Sequence, residues 1–232
     1  MKEAVRRLAG EAWAFRARVE RDADRRFDKL ARAIAEFDPP SPVPALMRRA
    51  AEDERRHAVL CAQLAESFGQ PARDDSPPGE IAPRTLSPRN AALYETVAAC
   101  CITESESMAI LTTLLAGPLE PRIREAVHEI ARDEVAHSQM GWAHLAREAS
   151  LTDVSFLSAW IPDMLAGTVD FAPAPPEPEG LQEQGVLPRA RKREIFLAAL
   201  GQIVLPGLEK FGVETAPARR WMEGLPSGPD FL

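Results

Sequence analysis

One short pattern occurs twice in this chain, and each copy lies on the apolar side of a helical tract. The copies are Asp53-Glu54-Arg55-Arg56-His57 and Asp133-Glu134-Val135-Ala136-His137. In each, Glu and His stand three positions apart, which puts them on one helical face. That face also carries Met47, Ala51, Ala58, Cys61 and Leu64 around the first copy, and Ile123, Val127, Ile130, Gly141 and Leu145 around the second. Burying a carboxylate beside an imidazole is costly unless a cation or metal meets them there. The pattern therefore demands a fold that packs helical faces together around a polar centre. With 45% hydrophobic residues in 232, the chain has enough apolar surface for such a core, so disorder is excluded as its main state.

Periodicity is helical throughout and no convincing strand signal is present. A first helix is expected from about Lys2 to Phe37, stopped by Asp38-Pro39-Pro40-Ser41-Pro42, which no helix crosses. A second runs from about Pro44 to Phe68 and ends at Gly69. Ser87-Pro88 supplies an N-cap and a first-turn proline for a third helix, reaching Ala116 before Gly117-Pro118. A fourth covers about Pro121 to Ala149, a fifth Val154 to Thr168, and a last one Ala190 to Phe211, kinked or broken at Pro206-Gly207.

The short turns make two antiparallel hairpins. The loop from Gly69 to Leu86 is long enough to run the length of a bundle, so the third helix starts parallel to the second. The expected fold class is all-α: a ferritin-like four-helix bundle of two antiparallel hairpins joined by a long crossover. Residues 1–150 form the bundle with its binuclear site. Residues 151–232 form a helical extension packed on it, with a stiff Pro-rich linker at 172–189.

Each hairpin supplies a further glutamate. Glu20 lies 34 positions before Glu54 and Glu104 lies 30 before Glu134. Glu104 sits in line with Val97, Cys100, Cys101, Met108 and Leu111; Glu20 lies beside Trp13, Ala23 and Phe27. The chain reads as a duplicated unit, Glu on one helix and Glu-x-x-His on the next. Glu20, Glu54, His57, Glu104, Glu134 and His137 then form a binuclear site for hard or borderline divalent metals, iron first and manganese second. Asp24 competes with Glu20, and Glu106 with Glu104. Zinc alone rarely needs so many oxygen ligands.

These residues resemble the ferritin-like di-iron carboxylate superfamily, from rubrerythrins to ribonucleotide reductase small subunits, over about Val19 to Glu148. The first copy is similar to the Asp-Glu-x-Arg-His motif of the hydroxylase subunits. The segment around Glu20 and the stretch Ala99-Cys100-Cys101-Ile102-Thr103-Glu104 also look like a little-characterised bacterial ferritin-like group. The resemblance implies that Asp53 supports His137 and Asp133 supports His57, each imidazole held from the opposite half. It assigns the proton- and oxygen-handling position after the third-helix Glu, often Thr in hydroxylases, to Ser107. The rubredoxin-type Cys pairs of rubrerythrins are not visible in this chain.

The expected function is a di-iron oxidoreductase that activates dioxygen to oxidise a small-molecule substrate, supplied by an external electron donor because no flavin or iron–sulfur motif is present. Two alternatives remain: a peroxide-scavenging or ferroxidase protein, rubrerythrin-like or manganese catalase-like, and a metal-binding bundle without activity. The fifth and last helices are expected to wall the substrate pocket. A net charge of −7 gives no footprint for nucleic acid. The charged start and the absence of a long uninterrupted apolar run argue against export and membrane insertion. Cys61, Cys100 and Cys101 suggest a reduced, cytoplasmic protein, with a homodimer as the default assembly. His144 reads as a core or channel histidine about 10 Å beyond His137, and Arg191-Lys192-Arg193 as a surface cluster at a helix start.

Overall fold

The computed structural model describes residues 1–72, 81–166, 168 and 176–225. Helix α1 is Glu3–Phe37 and α2 is Val43–Ser67. α3 is Pro88–Ala116, α4 is Pro121–Leu151 and α5 is Leu157–Leu165. A longer broken helix, α6, spans 189–209, and α7 is Ala216–Glu223. No strand occurs among the described residues.

Helix ends follow local chemistry. The Ser87 hydroxyl accepts from the Asn90 amide at 3.3 Å ahead of Pro88. The Glu120 carboxylate accepts from Ile123 at 3.2 Å ahead of Pro121. Each side chain satisfies one amide that the first helical turn leaves orphaned. α1 buries Val5, Ala9, Trp13, Ala17, Glu20, Phe27, Leu30 and Ile34, a stripe at helical spacing that faces the interior.

Pairings between helices fix their directions. Arg55 of α2 reaches Asp24 and Asp28 of α1, while Arg6 reaches the Phe68 carbonyl, so these helices run antiparallel. Arg26 of α1 meets Glu95 of α3, and Arg16 meets Ser107, again antiparallel. α3 therefore runs parallel to α2, as a long crossover requires. The result is a ferritin-like helical bundle.

Several details differ from the sequence expectation. α3 contains a π-helical turn, Val97–Thr103, just before Glu104, whose amide bonds the Ala99 carbonyl. No residue in that stretch forbids an α-helix; the packing explains the turn. A Cβ built on Gly141 of α4 would lie 2.4 Å from Cys100 Cβ and 3.1 Å from the Cys100 carbonyl carbon, so the two backbones touch where α3 bulges. A second π turn, Leu200–Val204, precedes Pro206, which has no amide to donate; this is how α6 continues through the expected break. α5 is shorter than expected, and α7 lacks the length to announce itself by periodicity.

The linker is also different. Residues 172–175 lie outside the described residues, but 179–189 is not a stiff spacer. It forms a 3-10 turn, Gln182–Gln184, and docks on the bundle. Trp13 Nε1 donates to the Gln184 carbonyl at 2.9 Å, and Leu181 and Leu187 are buried. Gly185 adopts φ +77° directly over the Trp13 ring, a position where any Cβ would be strained and obstructed.

Apolar packing lies on both sides of the polar centre. One cluster gathers Trp13, Leu64, Leu111 and Val127; another gathers Phe27, Leu30, Met47, Cys100 and Met140. A third unites α3 and α4 with the C-terminal helices through Ile102, Leu145, Leu157, Phe196 and Leu205. α3 is long and apolar enough to cross a membrane by composition, with mean hydropathy 1.2, but half of that window is buried within the protein.

The tight α3–α4 contact generates a prediction. Gly141→Ala should destabilise the protein by about 1–3 kcal/mol through overpacking, lowering the thermal midpoint by several degrees with helical circular dichroism retained. An unchanged midpoint would show that the bulged crossing is loose.

Candidate metal centre

Each hairpin brings one glutamate and one Glu-x-x-His pair to the bundle axis. Glu54 and His57 are wholly buried, Glu134 and His137 are 1% exposed, and Glu20 and Glu104 are 5% and 6% exposed. All six sequence-predicted side chains converge. Asp24, the competitor of Glu20, instead pairs with Arg55 at 3.0 Å. Glu106, the competitor of Glu104, lies outside the cluster, where burial raises its carboxyl to about 7 and Lys192 works against that rise.

The cluster divides into two overlapping sets. Ligand atoms of Glu20, Glu54, His57 and Glu134 lie within 4.8 Å of one another, as do those of Glu54, Glu104, Glu134 and His137. Glu54 and Glu134 belong to both sets and are placed to bridge. Glu20 with His57, and Glu104 with His137, stand at the two ends. Each set could hold a cation, and oxygen-rich donors with one imidazole each suit hard or borderline divalent ions.

The imidazoles are fixed by crossed supports. His57 Nδ1 lies 3.2 Å from Glu54 Oε2, and its Nε2 lies 3.3 Å from Asp133 Oδ2. His137 Nδ1 lies 3.1 Å from Glu134 Oε2, and its Nε2 lies 3.4 Å from Asp53 Oδ2. Nδ1 thus faces the centre while Nε2 is turned to an aspartate of the opposite hairpin. An aspartate behind the imidazole sets its tautomer and raises its basicity. Arg56, which sequence reasoning left without a role, ties both supports together, reaching Asp53 at 2.7 Å and Asp133 at 3.0 Å. Its signal was there: Arg56 follows Asp53 by three positions on the same face. Ala136 occupies the corresponding place in the second copy, so the tie comes from one half only.

Electrostatics shows what the cluster lacks. Burial, then the neighbouring Glu54, pushes Glu20 well above the usual carboxylate range. Burial, then Glu134, does the same to Glu104. For Glu54 burial also acts upward, but the adjoining imidazoles of His137 and His57 outweigh it and hold the carboxyl at about 2. For His137 burial acts downward and the adjoining carboxylates of Glu134 and Glu54 prevail, raising it to about 10. Two imidazoles and the Arg16 guanidinium, which pairs with Glu20, are the positive charge within reach of four carboxylates. Among the described residues, buried Glu54 Oε1 receives no aligned hydrogen bond, although His137 Nδ1 stands 3.0 Å away. A pair of divalent cations fits this donor set.

Ser107 lies at the rim, its hydroxyl 3.5 Å from Glu134 Oε1 and 3.3 Å from Arg16 Nη2. Arg16 also pairs with Glu20 at 3.1 Å. Beside these residues opens a cavity of about 870 Å³ bounded by α1 and α3, with Met164 of α5 and Lys192 of α6 along it. Lys192 is therefore not part of a plain surface cluster, as its sequence neighbourhood suggested, whereas Arg191 is, pairing with Glu194.

These features define a helical bundle carrying a buried carboxylate–histidine cluster. A family model described as rubrerythrin matches residues 14–145, more than half of the chain and all eight Glu, His and Asp residues of the cluster and its supports. The chain belongs to the rubrerythrin family, whose members hold di-iron centres in a ferritin-like domain. No curated protein and no solved structure matches it. The three cysteines are buried and free.

His144 is fully buried, and neither ring nitrogen has a hydrogen-bond partner among the described residues. Burial lowers it to about 4, against the pull of Glu148 and Asp38 and with the push of Arg89 and Arg147. Those four charges pair with each other, Arg89 with Glu148 at 2.6 Å and Arg147 with Asp38. The unfolded imidazole titrates near its ordinary value, so the unfolded chain takes up the proton first as pH falls. Stability should be full above about pH 6.5 and decline by up to about 3 kcal/mol as pH drops toward 4. Denaturant melts across that window check this: His144→Leu should flatten the decline, and an unchanged slope would contradict it.

The supports generate a second prediction. Asp133→Asn should weaken divalent metal affinity about 10–100-fold with little change in helicity, read by competitive chelator titration. Unaltered affinity would remove Asp133 from any role at the centre.

Proposed function

We propose that the protein is a binuclear iron oxidoreductase that couples dioxygen to the oxidation of a small organic molecule. The observation that carries this reading is the position of the cavity, which reaches the terminal carboxylates Glu20 and Glu104 directly. Met164, Leu187, Arg189 and Lys192 along it lie beyond residues 14–145, the part matched by the family. A site serving only peroxide or ferrous ion needs no cleft of this size beside it.

Glu20, Glu54, His57, Glu104, Glu134 and His137 would hold two iron ions between them. Such a pair supplies two-electron exchange with dioxygen. The chain's residues do the rest. Asp53 and Asp133 hold the imidazoles in one tautomer, and Arg56 holds the aspartates. The apolar clusters on either side keep bulk water from Glu54, His57, Glu134 and His137, leaving Glu20 and Glu104 at the cavity. Ser107, between Glu134 and Arg16, is placed to pass a proton between the cavity and the Glu134 carboxylate. The overall balance is substrate C–H plus O2, two electrons and two protons giving the hydroxylated product and water. An external one- or two-electron donor supplies the reducing equivalents. Manganese is the second choice of metal on the same donor set.

The test is oxygen uptake. Iron-loaded protein with a chemical reductant should consume dioxygen over many turnovers. The double variant Glu54→Ala/His137→Ala should lose both iron and uptake while keeping its helical signal. Faster turnover of hydrogen peroxide than of dioxygen, with no organic acceptor, would overturn the proposal in favour of peroxide removal. Full uptake in the double variant would displace the site itself.

A further inference from the structure

The cavity beside Glu20 and Glu104 has a charge pattern of its own. Four cations line it, Arg16, Arg26, Arg189 and Lys192, together with the acids Glu20, Asp22, Glu104 and Glu106. Several of these charges are already committed. Arg26 pairs with buried Glu95 at 3.0 Å, and Asp22 with Arg25 at 3.6 Å. On the reading proposed above, Glu20 and Glu104 are taken up by metal, which also deprives Arg16 of its compensation by Glu20. Lys192 makes no side-chain hydrogen bond or ion pair among the described residues, although Glu106 is near enough to feel its charge. Lys192, joined by Arg16 once Glu20 is taken up, then faces the cavity against Glu106.

The rest of the lining is apolar. Trp13 and Val19 of α1, Ile110 of α3, Met164 of α5 and Leu187 lie along it. The π turn contributes the small residues Ala98 and Ala99, which leave space where larger side chains would fill it. A volume of about 870 Å³ falls in the range of sites for drug-sized organic ligands, whose walls are mostly apolar with a few placed polar groups.

We infer that this cavity binds an amphipathic organic acid, its carboxylate held by Lys192 and its apolar body laid between α1 and α3 against the metal-facing glutamates. The inference rests on the redox reading only for the commitment of Glu20 and Glu104; the lysine and the apolar walls stand without it. It also gives the C-terminal extension a task. Lys192 reaches the cavity because α6 packs on α3, and Leu187 because residues 179–189 are pinned over Trp13. Substrate choice is then set by the segment outside the family match, while the redox centre is set by the segment inside it.

Isothermal titration calorimetry of the full chain with octanoate, 1-octanol and octylamine tests this. Octanoate should bind at least about tenfold more tightly than octylamine. Lys192→Met should weaken octanoate about tenfold, the scale of a lost charge-assisted hydrogen bond, without changing 1-octanol. Lys192→Arg should restore octanoate binding, which a merely structural role for the lysine would not require. Met164→Trp, by filling the chamber, should weaken octanoate and 1-octanol together. Octylamine binding as well as octanoate, an unaffected Lys192→Met variant, or no binding of any probe would each overturn the inference. Metal content measured on the same samples separates it from the redox proposal. A chain that holds octanoate but no metal refutes the redox centre alone, and one that holds two metal ions but no octanoate refutes the acid pocket alone.

Discussion

Four carboxylates gathered in a bundle interior, two almost wholly buried and two nearly so, repel one another and are costly to keep charged unless positive charge meets them there. Everything else here is arranged around that repulsion. Two imidazoles stand at the centre, and two aspartates behind them are clamped by Arg56. Apolar layers on both sides supply the free energy that the polar layer costs. The layers at Trp13 and at Phe27 are therefore as much a part of the site as the ligands. The duplicated pattern is the economical solution, because each hairpin brings one end of the cluster and the support for the other hairpin's imidazole.

Much of this was legible from residue order. Glu54/His57 and Glu134/His137 share a face by arithmetic, and their apolar neighbours say that the face turns inward. The crossover was readable because Gly69 to Leu86 is too long for a tight turn and too polar for another element. Other features were not readable, for physical reasons. The π turn before Glu104 is set by how closely Gly141 lets α4 approach Cys100, a contact between helices distant in sequence. Proline content suggested an extended linker at 172–189, yet Leu181, Leu187 and Gly185 dock beside Trp13 through contacts no local propensity encodes. Lys192 lay inside a run of basic residues, and only the crossing of α6 over α3 separates it from its neighbours.

The two parts of the chain divide the work. The bundle shared with the rubrerythrin family carries the cluster and its supports. The C-terminal helices share a core with α3 and α4 through Phe196, Leu200 and Leu205 and bring new side chains to the cavity rim. Their attachment to α3, the helix that carries both Glu104 and the bulge, couples the shape of the chamber to the geometry of the centre. Arg16 stands between the two, joined to Glu20 on one side and Ser107 on the other.

The central claim is that the convergent Glu and His side chains hold a pair of metal ions. Elemental analysis of the purified protein, after growth with iron supplied, addresses it most directly. The account predicts about two metal ions per chain, with iron in excess of manganese and zinc. A folded chain that carries no metal, and whose thermal midpoint does not move on adding ferrous or manganous ion, would contradict it.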